Sequence, residues 1–201
     1  MRLSLSARLA LIFSLISILS LSLVGVILFR ALSDRIYTQD DLSIVLATRH
    51  LRRLAAEIDT TAGIREHQER LVSLVLGDPE LAMRIEAADG ATLIDYDPPH
   101  IGIIALPATR ATERVVTAQV QRWTAEGTIP VRGIASMATL HDGSSVKISV
   151  VRSMGDRASL LDNYRNVIWA TVASTAVAAV LLCYLLVRRV LAPLRAMAAS
   201  A

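Results

Sequence analysis

Cysteine occurs once in the 201 residues, proline six times and glycine nine times, and aromatic residues make up only 4%. A single thiol, Cys183, cannot close an internal bridge, which excludes a disulfide-stapled scaffold. So little proline and glycine excludes collagen-like and low-complexity chains. Acidic residues are missing altogether outside residues 30–166. Catalytic groupings are missing too: the serines have no His/Asp partnership, and Asp95 with Asp97 lacks an acid–base setting. What the chain has in plenty is apolar: 53% AVILMFWYC and a mean hydropathy of +0.49, beside 19% charged residues. A chain at once this apolar and this charged combines polar folded protein with lipid-embedded spans. It is too apolar for a one-domain cytosolic enzyme.

Two runs hold the excess. Leu9–Phe29 is 21 residues without a charge, and Asn166–Val187 is 22. At 1.5 Å per helical residue each covers roughly 30 Å, the thickness of a bilayer's hydrocarbon core. Lipid leaves backbone groups no partner but their own segment, so both read as helices, with spans at 9–29 and 167–187. Leu28-Phe29-Arg30-Ala31 is no small-x-small cleavage site, so the first run reads as an anchor and not a cleaved signal. Arg2, Arg8, Arg188, Arg189 and Arg195 flank the spans, while residues 30–166 hold 16 basic and 18 acidic residues, a net of −2. This is the positive-inside pattern: residues 1–8 and 188–201 in the cytoplasm, and about 137 residues exported between them. The basic groups thus belong to lipid flanks, which speaks against nucleic acid as a partner. Small residues recur in both spans, among them Gly25 and the series Ala170, Ser174, Ala178, a spacing that lets helices approach closely in lipid.

An exported segment of this length is a domain. Ile44, Leu51 and Ile58 stand seven apart with Ala47 and Leu54 between, an a/d seam for side-by-side helix packing. The spacing predicts a helix running on from the first span to about Gly63, then a second over Ile64–Leu76. Then the period becomes two. Met83, Ile85 and Ala87 lead to Asp89-Gly90 and on to Leu93, Ile94 and Tyr96; Val131–Leu140 leads to Asp142-Gly143 and on to Val146, Ile148 and Val150. Asp-Gly between alternating runs signals a hairpin. Pro98, Pro99 and Pro107 place a loop at 97–112, and a helix is expected at Arg114–Ala125. The fold class is α+β: two transmembrane helices flanking a periplasmic, PAS-like or PDC-like domain, with an antiparallel sheet and a long N-terminal helix.

After the second span comes Arg188-Arg189-Val190-Leu191-Ala192-Pro193-Leu194-Arg195-Ala196-Met197, where proline should end one helix and begin another. This stretch resembles the opening of a HAMP linker. With Leu3–Leu11, Thr48-Arg49-His50-Leu51, Asp78-Pro79 before Met83–Gly90, and His141-Asp142-Gly143, the chain resembles the N-terminal half of a bacterial heavy-metal sensor histidine kinase. The resemblance implies an inner-membrane homodimer that detects copper, silver or zinc in the periplasm. The signal would pass through Pro193 and Leu194 towards a kinase acting on a response regulator. ATP binding and phosphotransfer would belong to kinase domains that this chain lacks, so no catalytic residue is assigned. The competing readings are a HAMP-bearing receptor for a small organic ligand and a non-signalling membrane scaffold.

Metal ligands of that class are imidazole, thioether and carboxylate. Four histidines are present, His50, His67, His100 and His141. His50 falls at a heptad g position with Glu57 at the next, where a two-fold dimer brings one ligand from each chain together. The resemblance also points to a histidine in this helix. The candidate metal residues are therefore His50, Glu57 and His141. His67 lies among Glu66, Gln68 and Glu69 on a solvated face, and His100 lies near Asp95 and Asp97 in a loop. Met83 and Met137 suit core positions, whereas Met154 is expected to be exposed.

Overall fold

The computed structural model describes residues 5–125 and 127–198, the outermost helical stretches by their backbone alone. The elements run α1 (Leu5–Ala56), α2 (Thr61–Glu66), α3 (Gln68–Val72), β1 (Leu81–Ala87), β2 (Thr92–Tyr96), β3 (Ala108–Thr109), β4 (Gln121–Ala125), β5 (Ile129–Thr139), β6 (Ser145–Ser153) and α4 (Gly155–Ala198). They form two compact units, Met1–Asp34 with Leu160–Ala201, and Arg35–Ser159.

The first unit contains the apolar parts of α1 and α4, both long and apolar enough to cross a membrane. They approach closely at Gly25, where a Cβ would stand 3.0 Å from Ile168 Cγ2. A cavity of about 250 Å³ beside it is lined by Ser22, Phe29, Trp169 and Val172 among others. Ala170, Ser174 and Ala178 are exposed, so the small-residue series does not form the face that meets α1. Ile168 and Val172 do. α4 also continues through Pro193 to Ala198, where a break is expected from the sequence. Proline in a helix removes one amide donor, leaving the carbonyl four residues back to find another partner, and membrane helices tolerate this as a local adjustment. The side chains of Pro193 and Leu194 lie outside the described residues.

The second unit is a six-stranded sheet in the order β2-β1-β6-β5-β3, with β4 also on β5. Every pairing is antiparallel except β3 with β5. Both hairpins turn where Asp-Gly stands, with Gly90 at φ 85° and Gly143 at φ 83°, the left-handed region that glycine adopts without strain. Strand alternation gives the sheet two buried faces. On one, Met83, Ile85, Ile134, Ile148 and Val150 pack under Ile44 and Leu51 of α1, together with Ile64 and Leu71 of the short helices. Burying each such side chain stabilises the domain by roughly 1.5–3 kcal/mol. On the other, Val131, Ala135 and Val151 lie under Ile101, Ile103 and Leu106 of the proline-containing loop, beside Trp123.

The seam Ile44, Leu51, Ile58 therefore faces this chain's own sheet and not a second helix. A helix lying on one flat apolar surface needs the same spacing as a two-stranded coil. Four further expectations change. α1 ends at Ala56 because the side chain of Thr60 accepts from Gly63 N at 3.2 Å, capping a new helix. The helix expected at Ile64–Leu76 is split into α2 and α3 at His67, followed by turns to Gly77. The helix expected at Arg114–Ala125 is a short 3₁₀ turn, Thr117–Gln119, followed by β4. There the β5 edge offers ladder hydrogen bonds that an isolated short helix cannot match. Met154 is buried, and its amide donates to Pro130 O at 2.8 Å.

A charged layer seats α1 on the sheet. Arg132 and Arg152 are cross-strand partners on β5 and β6, and two adjacent acids of α1 meet them. Arg132 Nη1 donates to both carboxylate oxygens of Asp41 at 2.8 Å and stands 4.2 Å from the Tyr37 ring. Arg152 donates to Asp78, and its Nε stands 3.6 Å from Asp40. Asp40 also lies 3.3 Å from Arg157 Nε at the start of α4. These Asp40 contacts are ion pairs without hydrogen-bond geometry. Asp40, Asp41, Arg132 and Arg152 are all no more than 7% exposed.

Candidate functional site

The sequence candidates for metal lie along one end of the domain, on exposed positions. His50 is on α1 with Arg49, Arg52 and Arg53 within a turn of it. Glu57 follows the end of α1, about 10 Å further along the helix axis, and pairs with Arg70 at 2.8 Å. His141 stands beside it through the backbone: its amide donates to Ile58 O at 3.0 Å, and that of Asp142 to Asp59 O at 3.1 Å. Glu57 and His141 thus share a corner, which Asp59 and Asp142 make acidic, and His50 stands apart from it. Asp142 accepts from Ser144 N at 2.8 Å and from Ser144 Oγ at 2.6 Å, and these donors hold its carboxyl below the ordinary value. Among the described residues, no three His, Cys, Asp or Glu side chains converge as a metal-holding group.

The other histidines serve local structure. His67 Nδ1 lies 2.9 Å from Gly63 O. His100, at φ 54°, sits with Nδ1 2.7 Å from Pro98 O. The carboxylates near His100 are engaged: Asp95 pairs with Arg84 at 2.9 Å, and Asp97 accepts from the amides of Ile101 and Gly102 at 3.2 and 2.9 Å.

A second place has clear chemistry that the sequence pattern does not announce. The last turns of α1 and residues 112–115 border an open, shallow cleft of about 400 Å³ lined by Arg49, Arg52, Arg53, Thr112, Glu113, Arg114 and Val115. Arg49 donates to Val115 O from Nε at 3.0 Å and from Nη2 at 2.5 Å. Arg52 donates to Glu113 O at 2.8 Å and to Ala111 O. Burial under this segment lowers the pKa of the Arg52 guanidinium from its ordinary value. Arg53 and Arg114 have neither a hydrogen bond nor an ion pair among the described residues. Arg114, expected at the start of a helix, lies in a loop instead, and the sequence signal for the cleft is the Arg49, Arg52, Arg53 cluster.

The domain is a helix-covered sheet whose first and last helices run on into stretches long and apolar enough to cross a membrane. Residues 1–156 match the CusS sensor domain, and the chain belongs to that family. It is therefore the sensor portion of a metal-sensing two-component histidine kinase, a class that works with a response regulator. No curated protein and no solved structure matches the chain.

Proposed function

We propose that the domain of residues 30–166 detects a periplasmic transition-metal ion of the copper, silver or zinc class, with ligands contributed by two copies of the chain. The family match is the observation that carries this reading. A shared site is in keeping with the geometry, since among the described residues no three His, Cys, Asp or Glu donors converge within one chain. Electrostatics favour the acidic corner of His141 and Glu57 as the main contributor, because His50 is ringed by guanidiniums. A carboxylate from the partner copy would offset that charge at His50.

Both termini would face the cytoplasm in the inner membrane, with the PAS-like or PDC-like domain outside. Metal binding would favour one packing of two protomers over another, and α1 and α4, each continuous from the domain into its span, would carry the shift towards Pro193 and Leu194, a HAMP linker and the kinase. Titrating the full chain in detergent micelles with Zn(II), Cu(II), Cu(I) and Ag(I) tests this. Micromolar binding that drives dimer formation and weakens in His141→Ala and His50→Ala is the expected result. Absence of binding by all four ions would remove the metal reading and leave the family assignment in place.

A further inference from the structure

We infer that the arginine-lined cleft between α1 and residues 112–115 is a binding site for a small anion bearing carboxylate or phosphate groups, held by Arg53 and Arg114. The observation is an imbalance of charge. Four guanidiniums and one carboxylate line the cleft, and the protein acceptors of Arg49 and Arg52 are neutral backbone carbonyls. The one acid, Glu113, accepts from Gln119 Nε2 at 3.1 Å, and no arginine of the cleft forms an ion pair among the described residues. Elsewhere in the domain Arg70, Arg84, Arg132 and Arg152 each pair with a carboxylate.

The plainer explanation is that these arginines pin the 111–115 segment to the helix. It accounts for Arg49 and Arg52. It does not account for Arg53 and Arg114, which pin nothing yet bring two more like charges to the same cleft. Like charges gathered without a counter-ion are unfavourable, and an anion in the cleft relieves that. A guanidinium's planar fork matches carboxylate and phosphate oxygens two at a time. The volume lies within the range of small-molecule clefts, about 300–1,000 Å³. Cations are repelled by the same charge, so this site is separate from the proposed metal site and stands whether or not metal binds.

The test is calorimetric titration of the full chain in detergent micelles with succinate and with inorganic phosphate, in metal-free buffer at low salt. Saturable binding of either, with a Kd below about 1 mM, is expected; which one binds assigns carboxylate or phosphate chemistry. The double variant Arg53→Gln/Arg114→Gln should weaken it at least about tenfold while keeping the parental melting temperature, since neither side chain holds the fold. Arg65→Gln, which alters a guanidinium outside the cleft bonded to Thr92 O at 3.4 Å, should bind as the parent does. If the double variant fails to fold, Arg114→Glu alone gives the same reading by reversing one charge. No saturable binding of either anion, or equal binding by parent and cleft variants, overturns the inference. Neither result decides the metal reading, whose main proposed ligands, His141 and Glu57, lie outside the cleft.

Discussion

Asp41→Asn removes a charge but little volume from a buried, hydrogen-bonded ion pair of the domain, and its cost follows from the geometry. Arg132 and Asp41 are each 7% exposed, and one guanidinium nitrogen reaches both carboxylate oxygens at 2.8 Å. Breaking a buried pair from one side strands the other charge, at about 3–5 kcal/mol. One feature pulls the value to the low end. The Tyr37 ring, 4.2 Å from the guanidinium, still faces the cation and offsets about 0.5–2 kcal/mol. Arg122, 3.7 Å from Asp41 with a side chain 68% exposed, adds almost nothing, since solvent screens it. The expected loss is about 3 kcal/mol, which for a domain of this size lowers the melting temperature by roughly 10–15 °C. Trp123 reports on the sheet by fluorescence once Trp169 is replaced by Phe, those being the two tryptophans. The double variant Asp41→Leu/Arg132→Met removes both charges and should return to within about 1 kcal/mol of the parent. A single variant that melts within about 3 °C of the parent, or a double variant as unstable as the two singles combined, refutes the claim that this pair is desolvated.

Gly133→Ala should cost about 1–3 kcal/mol in the same assay, because its Cβ would stand 2.9 Å from both Trp123 and Val151 and 3.0 Å from the Val150 carbonyl, which is backbone and cannot give way. The lowered carboxyl of Asp142 fixes the sign of a pH effect: the ionised form is the one the hairpin favours, so its contribution is complete above the ordinary carboxylate pKa and disappears as the pH falls through the lower folded value. Asp142→Ala should flatten that acid-side slope, and an unchanged slope would show that Ser144 does not hold the charge. His141→Ala should reduce metal affinity more than His50→Ala; the reverse order in the titration would return the main site to the helix.

The hairpins were legible because Asp89-Gly90 and Asp142-Gly143 sit between clean alternations, a local signal that the fold has no reason to override. α1 was legible for the same reason, through an uncharged run followed by a 3.6-residue pattern. What that pattern packs against was not. Ile44, Leu51 and Ile58 satisfy a sheet as well as they satisfy a second helix, and only the tertiary structure distinguishes the two. β4 was misread because an exposed edge strand such as Gln121–Ala125 carries little alternation and takes its conformation from β5. The arginine cleft depends on hydrogen bonds between residues 59 to 66 positions apart, beyond the reach of any spacing rule. Its partner loop also had to be recognised as a loop. Asp40 and Asp41 are two adjacent acids just ahead of the apolar seam of α1, but nothing in their spacing tells them from solvated side chains.

That neighbouring pair has a mechanical corollary. Successive helical residues are offset by about 100° and 1.5 Å, so Asp40 grips β6 and the root of α4 while Asp41 grips β5. The two grips point in different directions around the axis, like teeth of a gear meshed with two racks. Rotation or sliding of α1 would separate Asp41 from Arg132, stranding that guanidinium, while Arg152 would keep Asp78 as its partner. Within the domain, the sheet-facing part of α1 is thereby tied to two neighbouring strands and to the first turn of α4.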